Sequence, residues 1–314
     1  MQTEIADFNK KKRYFFYILM FFIFGWFFFM QLFGTDERHL DEPSGSIFYT
    51  GSFTWEKPDG SRESIDVPGR YDIPAGTTMV LCTQLPSDFS ATSLAIRSSL
   101  QDIRFYIDDV LRVEYSTGGT RLSGKTSASR YVFCPASAAD AGKELRIELT
   151  TWAHQYSGVV NDIYCGDKAD IWHTIFDRYE LETFIAFFIL FAGLATILFS
   201  FALGVVYKTS FDMEYLGWCM LMGATWMLGE SKLRQIFVSN ASSLGALCFV
   251  MIQLVPVPIL FYADSMQRRQ HHRLYTYLGG IAVLNFAVSA LLLITGTADY
   301  IETLPAGLFI LAAV

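Results

Sequence analysis

Residues 184–207 read FIAFFILFAGLATILFSFALGVVY, a run of 24 residues without a charged side chain. That length matches the roughly 20 apolar residues that an α-helix needs to cross the hydrocarbon core of a bilayer. Three more apolar stretches follow it, at residues 213–228, 244–262 and 274–294. Over the 314 residues the mean hydropathy is +0.31 and 52% are hydrophobic, a composition typical of membrane proteins. The sequence therefore predicts an α-helical transmembrane bundle.

Local features refine this bundle, which we assign to residues 181–314. The first of the three further stretches can extend through Glu230. The second contains Pro256 and Pro258, which predict a kink. Residues 304–314 begin another span that stops after eleven residues, so we expect the chain to be truncated there.

An earlier apolar stretch, residues 14–33, has spanning length and follows a short basic segment. The basic residues are Lys10, Lys11, Lys12 and Arg13. No small-residue cleavage site follows, which favours an uncleaved anchor over a cleaved signal peptide. We therefore expect residues 1–13 to be cytoplasmic and residues 14–33 to form a transmembrane anchor.

The distribution of Lys and Arg predicts the orientation. With a cytoplasmic N-terminus, the inner segments carry eight basic residues, whereas the short outer loops carry only Lys232 and Arg234. Cytoplasmic loops of membrane proteins have this excess of positive charge. Residues 34–180 are then extracytoplasmic.

The polar block at residues 34–180 has the pattern of short β-strands. Residues 103–107 and 110–115 are rich in β-branched and aromatic side chains and flank the pair Asp108-Asp109, which indicates a hairpin. Residues 145–149, LRIEL, alternate strictly between apolar and charged side chains. Glycine and proline turn signals separate such segments. We therefore predict an all-β jelly-roll or sandwich domain.

Several functional classes are disfavoured by composition and motifs. Residues 34–180 hold 22 acidic and 14 basic residues, whereas nucleic-acid binding requires clustered positive charge. The sequence contains no recognised catalytic, phosphate-binding or zinc motif, so we predict no catalytic residue, metal ligand or cofactor within residues 1–314. An oxidising exterior permits one disulfide among Cys82, Cys134 and Cys165, and the pairing is open.

Two groups of residues are candidates for function. Trp152, His154 and Tyr156 follow a predicted strand, where they can stack on a sugar ring or close the end of a sandwich core. Glu230 lies at the outer end of a predicted span. It is either a switch residue, because carboxylates at membrane depth are usually paired or functional, or a residue of the membrane–water interface beside Trp226 without a role in switching.

Particular segments resemble a known family. Residues 98–115, SSLQDIRFYIDDVLRVEY, look like the central hairpin of galactose-binding-like jelly rolls in bacterial sensor proteins, and residues 162–167, DIYCGD, are similar to their exit strand. Residues 226–231, WMLGES, and 255–262, VPVPILFY, resemble segments of their membrane bundle. The layout is similar to bacterial seven-transmembrane receptors with diverse intracellular signalling modules, especially the membrane sensor region of GGDEF diguanylate cyclases.

This resemblance implies a receptor in the bacterial cell membrane that is surrounded by lipid and acts as a homodimer. Its jelly roll would bind a small extracellular ligand, for which carbohydrate is the implied class. A diguanylate cyclase that makes cyclic di-GMP would follow residue 314, although kinase, phosphodiesterase and adenylyl cyclase outputs stay open. The alternatives are a transporter or transferase with an accessory carbohydrate-binding domain, and a tethered binding module without signalling.

Overall fold

The computed structural model describes residues 18, 21–23, 25, 26, 29, 47–49, 51–117, 126–208, 212–238, 240–268 and 270–313. The chain divides into two units, residues 1–44 and residues 45–314. In the first unit, the described residues are helical and exposed. The predicted cytoplasmic segment 1–13 and the rest of the predicted anchor lie outside the described residues.

Antiparallel strands make up the first part of the second unit. A four-stranded sheet has the order β1-β12-β6-β9, a six-stranded sheet has the order β3-β2-β5-β10-β7-β8, and β11 pairs with β4. The strands are β1 (Ile47–Phe48), β2 (Phe53–Glu56), β3 (Arg62–Ile65), β4 (Gly69–Arg70), β5 (Thr78–Gln84), β6 (Ser93–Arg97), β7 (Asp102–Ile107), β8 (Val110–Tyr115), β9 (Tyr131–Pro135), β10 (Glu144–Thr150), β11 (Val159–Val160) and β12 (Ile163–Gly166).

The two larger sheets enclose one hydrophobic core. Phe105 and Leu81 from the six-stranded sheet pack in the same buried cluster as Leu94 and Ile163 from the four-stranded sheet. In β10 the apolar residues of the alternating segment are buried and the residues between them are partly exposed, as expected for a strand with one face in a core. The prediction of a β-rich domain is confirmed as a sandwich-like arrangement, and the finer jelly-roll assignment stays a prediction.

The predicted hairpin is confirmed by its turn. Strands β7 and β8 are joined by Asp108 and Asp109, whose φ angles are 55° and 58°. Two successive residues with positive φ are required by the type I′ turn, which matches the twist of a two-stranded hairpin, and aspartate tolerates this conformation.

Helices form the second part of this unit. They are α1 (Lys168–Tyr207), α2 (Met213–Glu230), α3 (Arg234–Phe237), α4 (Ala241–Leu254), α5 (Pro256–Met266), α6 (His272–Ile294) and α7 (Tyr300–Ala313). Among the residues that the structure describes, three helical segments are long and apolar enough to cross a membrane: Lys168–Tyr207, Ser243–Met266 and His272–Ile294. The second of these is interrupted at Val255, where Pro256 begins a new helix, so the expected break is confirmed.

Two element boundaries differ from the sequence-based expectation. Helix α1 begins at Lys168, although strand structure was expected to about residue 180. Its first turns are polar on one side only, and the apolar side packs on the β domain. Helix α7 begins at Tyr300 rather than at residue 304, because a short polar first turn precedes the apolar stretch. Cys82 and Cys134 are buried free thiols, so neither forms the permitted disulfide.

The core predicts the response to a large-to-small substitution. We expect Leu81→Ala to lower the free energy of unfolding of the β region by about 2–5 kcal/mol, because Leu81 is 0% exposed and its removal leaves a cavity. Leu111→Ala is the matched control, since Leu111 is 47% exposed, and we expect a change within about 0.5 kcal/mol. A urea titration of the purified protein followed by circular dichroism measures both. Equal effects would contradict the observed core.

Candidate ligand site between the β domain and the helices

Helix α1 covers the outer face of the four-stranded sheet. Ala95, Tyr131 and Tyr164 of the sheet pack against Ile171 and Ile175 of the helix, and all five side chains are buried. With 40 residues at 1.5 Å each, α1 is about 60 Å long, which is enough to dock on the sheet and also to cross a bilayer. One continuous helix therefore links the β domain to the candidate membrane region.

Helix α3 makes a second contact, at the open edge of the same sheet. The backbone N–H of Tyr131 on edge strand β9 donates to Gln235 Oε1 at 2.7 Å, and Gln235 Nε2 donates to the carbonyl of Tyr131 at 3.3 Å. The amide thus replaces the neighbouring strand that β9 lacks. The buried guanidinium of Arg234 donates to the carbonyls of Gly229 and Ser129, which joins α2, α3 and the β domain.

The connection between α6 and α7 makes a third contact. Asp299 accepts hydrogen bonds from the backbone N–H and the hydroxyl of Thr126, at 3.1 Å and 2.8 Å. The β domain is therefore held by α1, by α3 and by the start of α7.

A cavity of about 200 Å³ lies between these contacts. Its β-domain wall is formed by Arg97, Leu100, Ala128, Ser129 and Tyr156. Its helical wall combines the charged residues Glu230, Lys232 and Arg234 with apolar residues that include Phe249, Ile252 and Ile301. An engineered cavity of about 150 Å³ holds benzene, so this space accepts a molecule about the size of a substituted ring.

The charges that line the cavity are unbalanced. Three cationic side chains, Arg97, Lys232 and Arg234, face one carboxylate, that of Glu230. Burial lowers the pKa of the Arg97 guanidinium, and the adjacent positive charge of Arg234 lowers it further. Burial also lowers the pKa of the Lys232 amine, with the Arg97 charge as the next cause. Both shifts have the sign expected for cations that are removed from water, and the carboxylate of Glu230 acts in the opposite direction on both.

Two of the sequence-predicted site residues meet in this cavity. Tyr156 lines it from the β domain, and Glu230 lines it from the C-terminal end of α2, where its side chain is exposed. They are 74 positions apart, so the sequence offers no direct signal that they share a site.

The other two predicted site residues lie elsewhere. Trp152 is 55% exposed, so it does not close the sandwich core. Its ring lies over Gly76, where an added Cβ would be 2.7 Å from the ring, and it lines a separate recess against the loop 296–299. His154 is exposed and lines neither space. Tyr156 and Trp152 therefore line different spaces, and the stacking of a sugar ring on these residues stays a prediction.

Arg97 was not predicted from the sequence as a site residue, and Lys232 and Arg234 served only to predict the orientation of the chain. Arg97 ends the apolar strand SLAIR. A basic residue at the end of an apolar strand is the signal that the sequence offers. The convergence of Arg97, Lys232 and Arg234 depends on how the sheet docks on the helices.

The edge contact predicts a local opening on substitution. We expect Gln235→Leu to lose both hydrogen bonds to Tyr131. The contact between α3 and edge strand β9 should become less stable by about 1–3 kcal/mol, because the backbone groups of Tyr131 are left unpaired. Hydrogen–deuterium exchange of the peptide that carries Tyr131 should accelerate. Gln155→Leu, at an exposed position of the β domain, is the control. Unchanged exchange in Gln235→Leu would show that the contact does not hold the edge.

Comparison with protein-family models found no family that matches the chain, and comparison with curated proteins and with solved structures likewise found no match.

Proposed function

We propose that this chain is the sensor and transmembrane part of a membrane receptor, and that the junction cavity is its ligand site. The observation that carries the proposal is the origin of the walls: Arg97 and Tyr156 come from the β domain, whereas Glu230 and Ile301 come from the helices. A ligand that touches both walls favours the arrangement in which both fit it. The free energy of ligand binding would thereby shift the equilibrium between arrangements of the β domain on the helices.

Close packing between α1 and α2 supports transmission along the helices. A Cβ added at Gly193 would lie 3.0 Å from the carbonyl oxygen of Gly217, and one added at Gly217 would lie 3.0 Å from that of Gly193. Glycine pairs of this kind let helix backbones approach directly in membranes. Since α2 carries Glu230 at the cavity, a displacement there would be shared with α1.

The polar residues within the bundle give less support to a transporter. Asn285 Nδ2 of α6 donates to Gln253 Oε1 of α4 at 2.6 Å, and Gln253 Nε2 donates to the carbonyl of Thr303 in α7 at 3.4 Å. These groups satisfy one another and join three helices. Transport sites instead require polar groups that are directed at a substrate.

We also propose the orientation that the basic residues predict, with the β domain extracytoplasmic, residues 1–13 cytoplasmic and the protein in a bacterial membrane. The jelly-roll topology, a homodimer, carbohydrate as a ligand class and a diguanylate cyclase output that makes cyclic di-GMP rest on the family resemblance alone. Within residues 1–314 the proposed role is reception and transmission, not catalysis.

Cysteine labelling tests the orientation. In a background with Cys165→Ser and Cys219→Ala, a membrane-impermeant maleimide should modify Asp109→Cys in intact cells, because this turn residue is exposed on the β domain. Gln270→Cys lies in the connection between α5 and α6 and should react only after permeabilisation. Reaction of Gln270→Cys in intact cells would reverse the proposed topology.

Filling the cavity tests the coupling. Ile301→Trp should occupy space in the cavity and change hydrogen–deuterium exchange in the connections 208–212, between α1 and α2, and 267–271, between α5 and α6. Leu308→Trp is the matched control, because Leu308 is on the same helix and exposed. It should leave that exchange unchanged. If Ile301→Trp also leaves both connections unchanged, the receptor proposal fails and a binding module without signalling is the better account.

A further inference from the structure

Arg97 contributes a cation to the lining of the cavity. In the described part of the chain, no hydrogen bond or ion pair reaches its guanidinium, although Glu230 is close enough to act on it electrostatically. Several other arginines of the β domain are paired with carboxylates: Arg104 lies 2.8 Å from a carboxylate oxygen of Glu114, and Arg112 lies 3.0 Å from one of Asp140. Arg97 therefore retains donors that a ligand can use.

Two further cations surround the same space. Lys232 and Arg234 line it, and two nitrogens of the Arg234 guanidinium donate to carbonyl oxygens. With Glu230 as the single carboxylate among the lining residues, the charge of the lining is about +2. Grouping positive charges in a partly buried site is unfavourable, and a bound anion would relieve it.

Much of the remaining helical wall is apolar. Phe249 and Ile252 come from α4, and Ile301 comes from α7. The cations come instead from the end of β6, from the segment between α2 and α3, and from the first residue of α3. The site is thus amphipathic, with charge and apolar surface supplied by different elements.

We propose that this cavity binds a small carboxylate with an apolar body, of the class of aromatic and short-chain aliphatic acids. The carboxylate would accept hydrogen bonds from the planar fork of Arg97, with Lys232 beside it, because arginine recognises carboxylates in two-pronged geometry. The apolar body would contact Phe249, Ile252 and Ile301. This inference rests on the proposed receptor function and names the ligand class for its site.

Benzoate and its neutral analogue benzamide test the charge requirement. Titration calorimetry on residues 1–314 in lipid nanodiscs should show benzoate binding about tenfold or more tightly than benzamide, because hydrogen bonds to charged groups are the stronger ones. Arg97→Met should reduce benzoate affinity about tenfold or more, and Arg97→Lys should retain part of it. Arg104→Met is the matched control, because its exposed pair with Glu114 lies outside the cavity, and it should bind benzoate like the wild type.

A carboxylate ligand with an apolar body can come from the aqueous phase or from the membrane, and a competition experiment separates these sources. Benzoate displaced by palmitate incorporated in the nanodisc, but not by soluble octanoate, identifies a membrane-derived acid. The reverse result identifies an aqueous one, and either supports the inference.

Equal affinities for benzoate and benzamide, unchanged benzoate binding in Arg97→Met, or no binding of any acid would overturn the carboxylate inference. None of these outcomes decides the receptor proposal, which depends on the exchange response to Ile301→Trp. The two proposals can therefore fail separately.

Discussion

The packing of helix α1 on the outer face of the four-stranded sheet positions the remaining contacts between the β domain and the helices. Ile171 and Ile175 of the helix are buried against Tyr131 and Tyr164 of the sheet. A sheet with one face in a sandwich core and the other against a helix is apolar on both sides, which explains why Ala95 and Tyr131 are also buried. Once this face is covered, edge strand β9 lies where Gln235 can pair with it, and Ser129 lies where Arg234 can reach its carbonyl.

The cavity follows from the chemistry of this junction. The contacts around it are mainly hydrogen bonds between the β domain and Gln235, Arg234 and Asp299. Hydrogen bonds require defined geometry and do not fill space as apolar side chains do, and the neighbouring cations repel one another. A gap lined by Arg97 and Lys232 is consistent with both constraints. A junction of this kind can change its arrangement at lower cost than a fully packed core.

The bundle itself is held by features suited to a surrounding without water. Gly193 and Gly217 let α1 and α2 meet backbone to backbone, and Gln253 bridges Asn285 and Thr303 across three helices. Gly307 leaves the space for Gln253, because an added Cβ there would lie 2.5 Å from the amide oxygen. In lipid, which offers no hydrophobic gain on helix association, such close approaches and internal hydrogen bonds would carry much of the packing energy.

Local features of this protein were determined by the sequence alone. The uncharged run at residues 184–207 lies within a continuous helix, the Asp108-Asp109 pair forms the hairpin turn, and Pro256 starts a new helix. Each of these features depends on a few neighbouring residues and on backbone geometry, which is why the sequence pattern predicted it. The pattern did not predict the cavity, because Arg97 and Arg234 are separated by 137 positions and meet only after a sheet edge docks on a helical turn. Only the tertiary structure decided that Tyr156 shares a cavity with Glu230 while Trp152 lines another recess, since burial and proximity of distant residues depend on how whole elements pack.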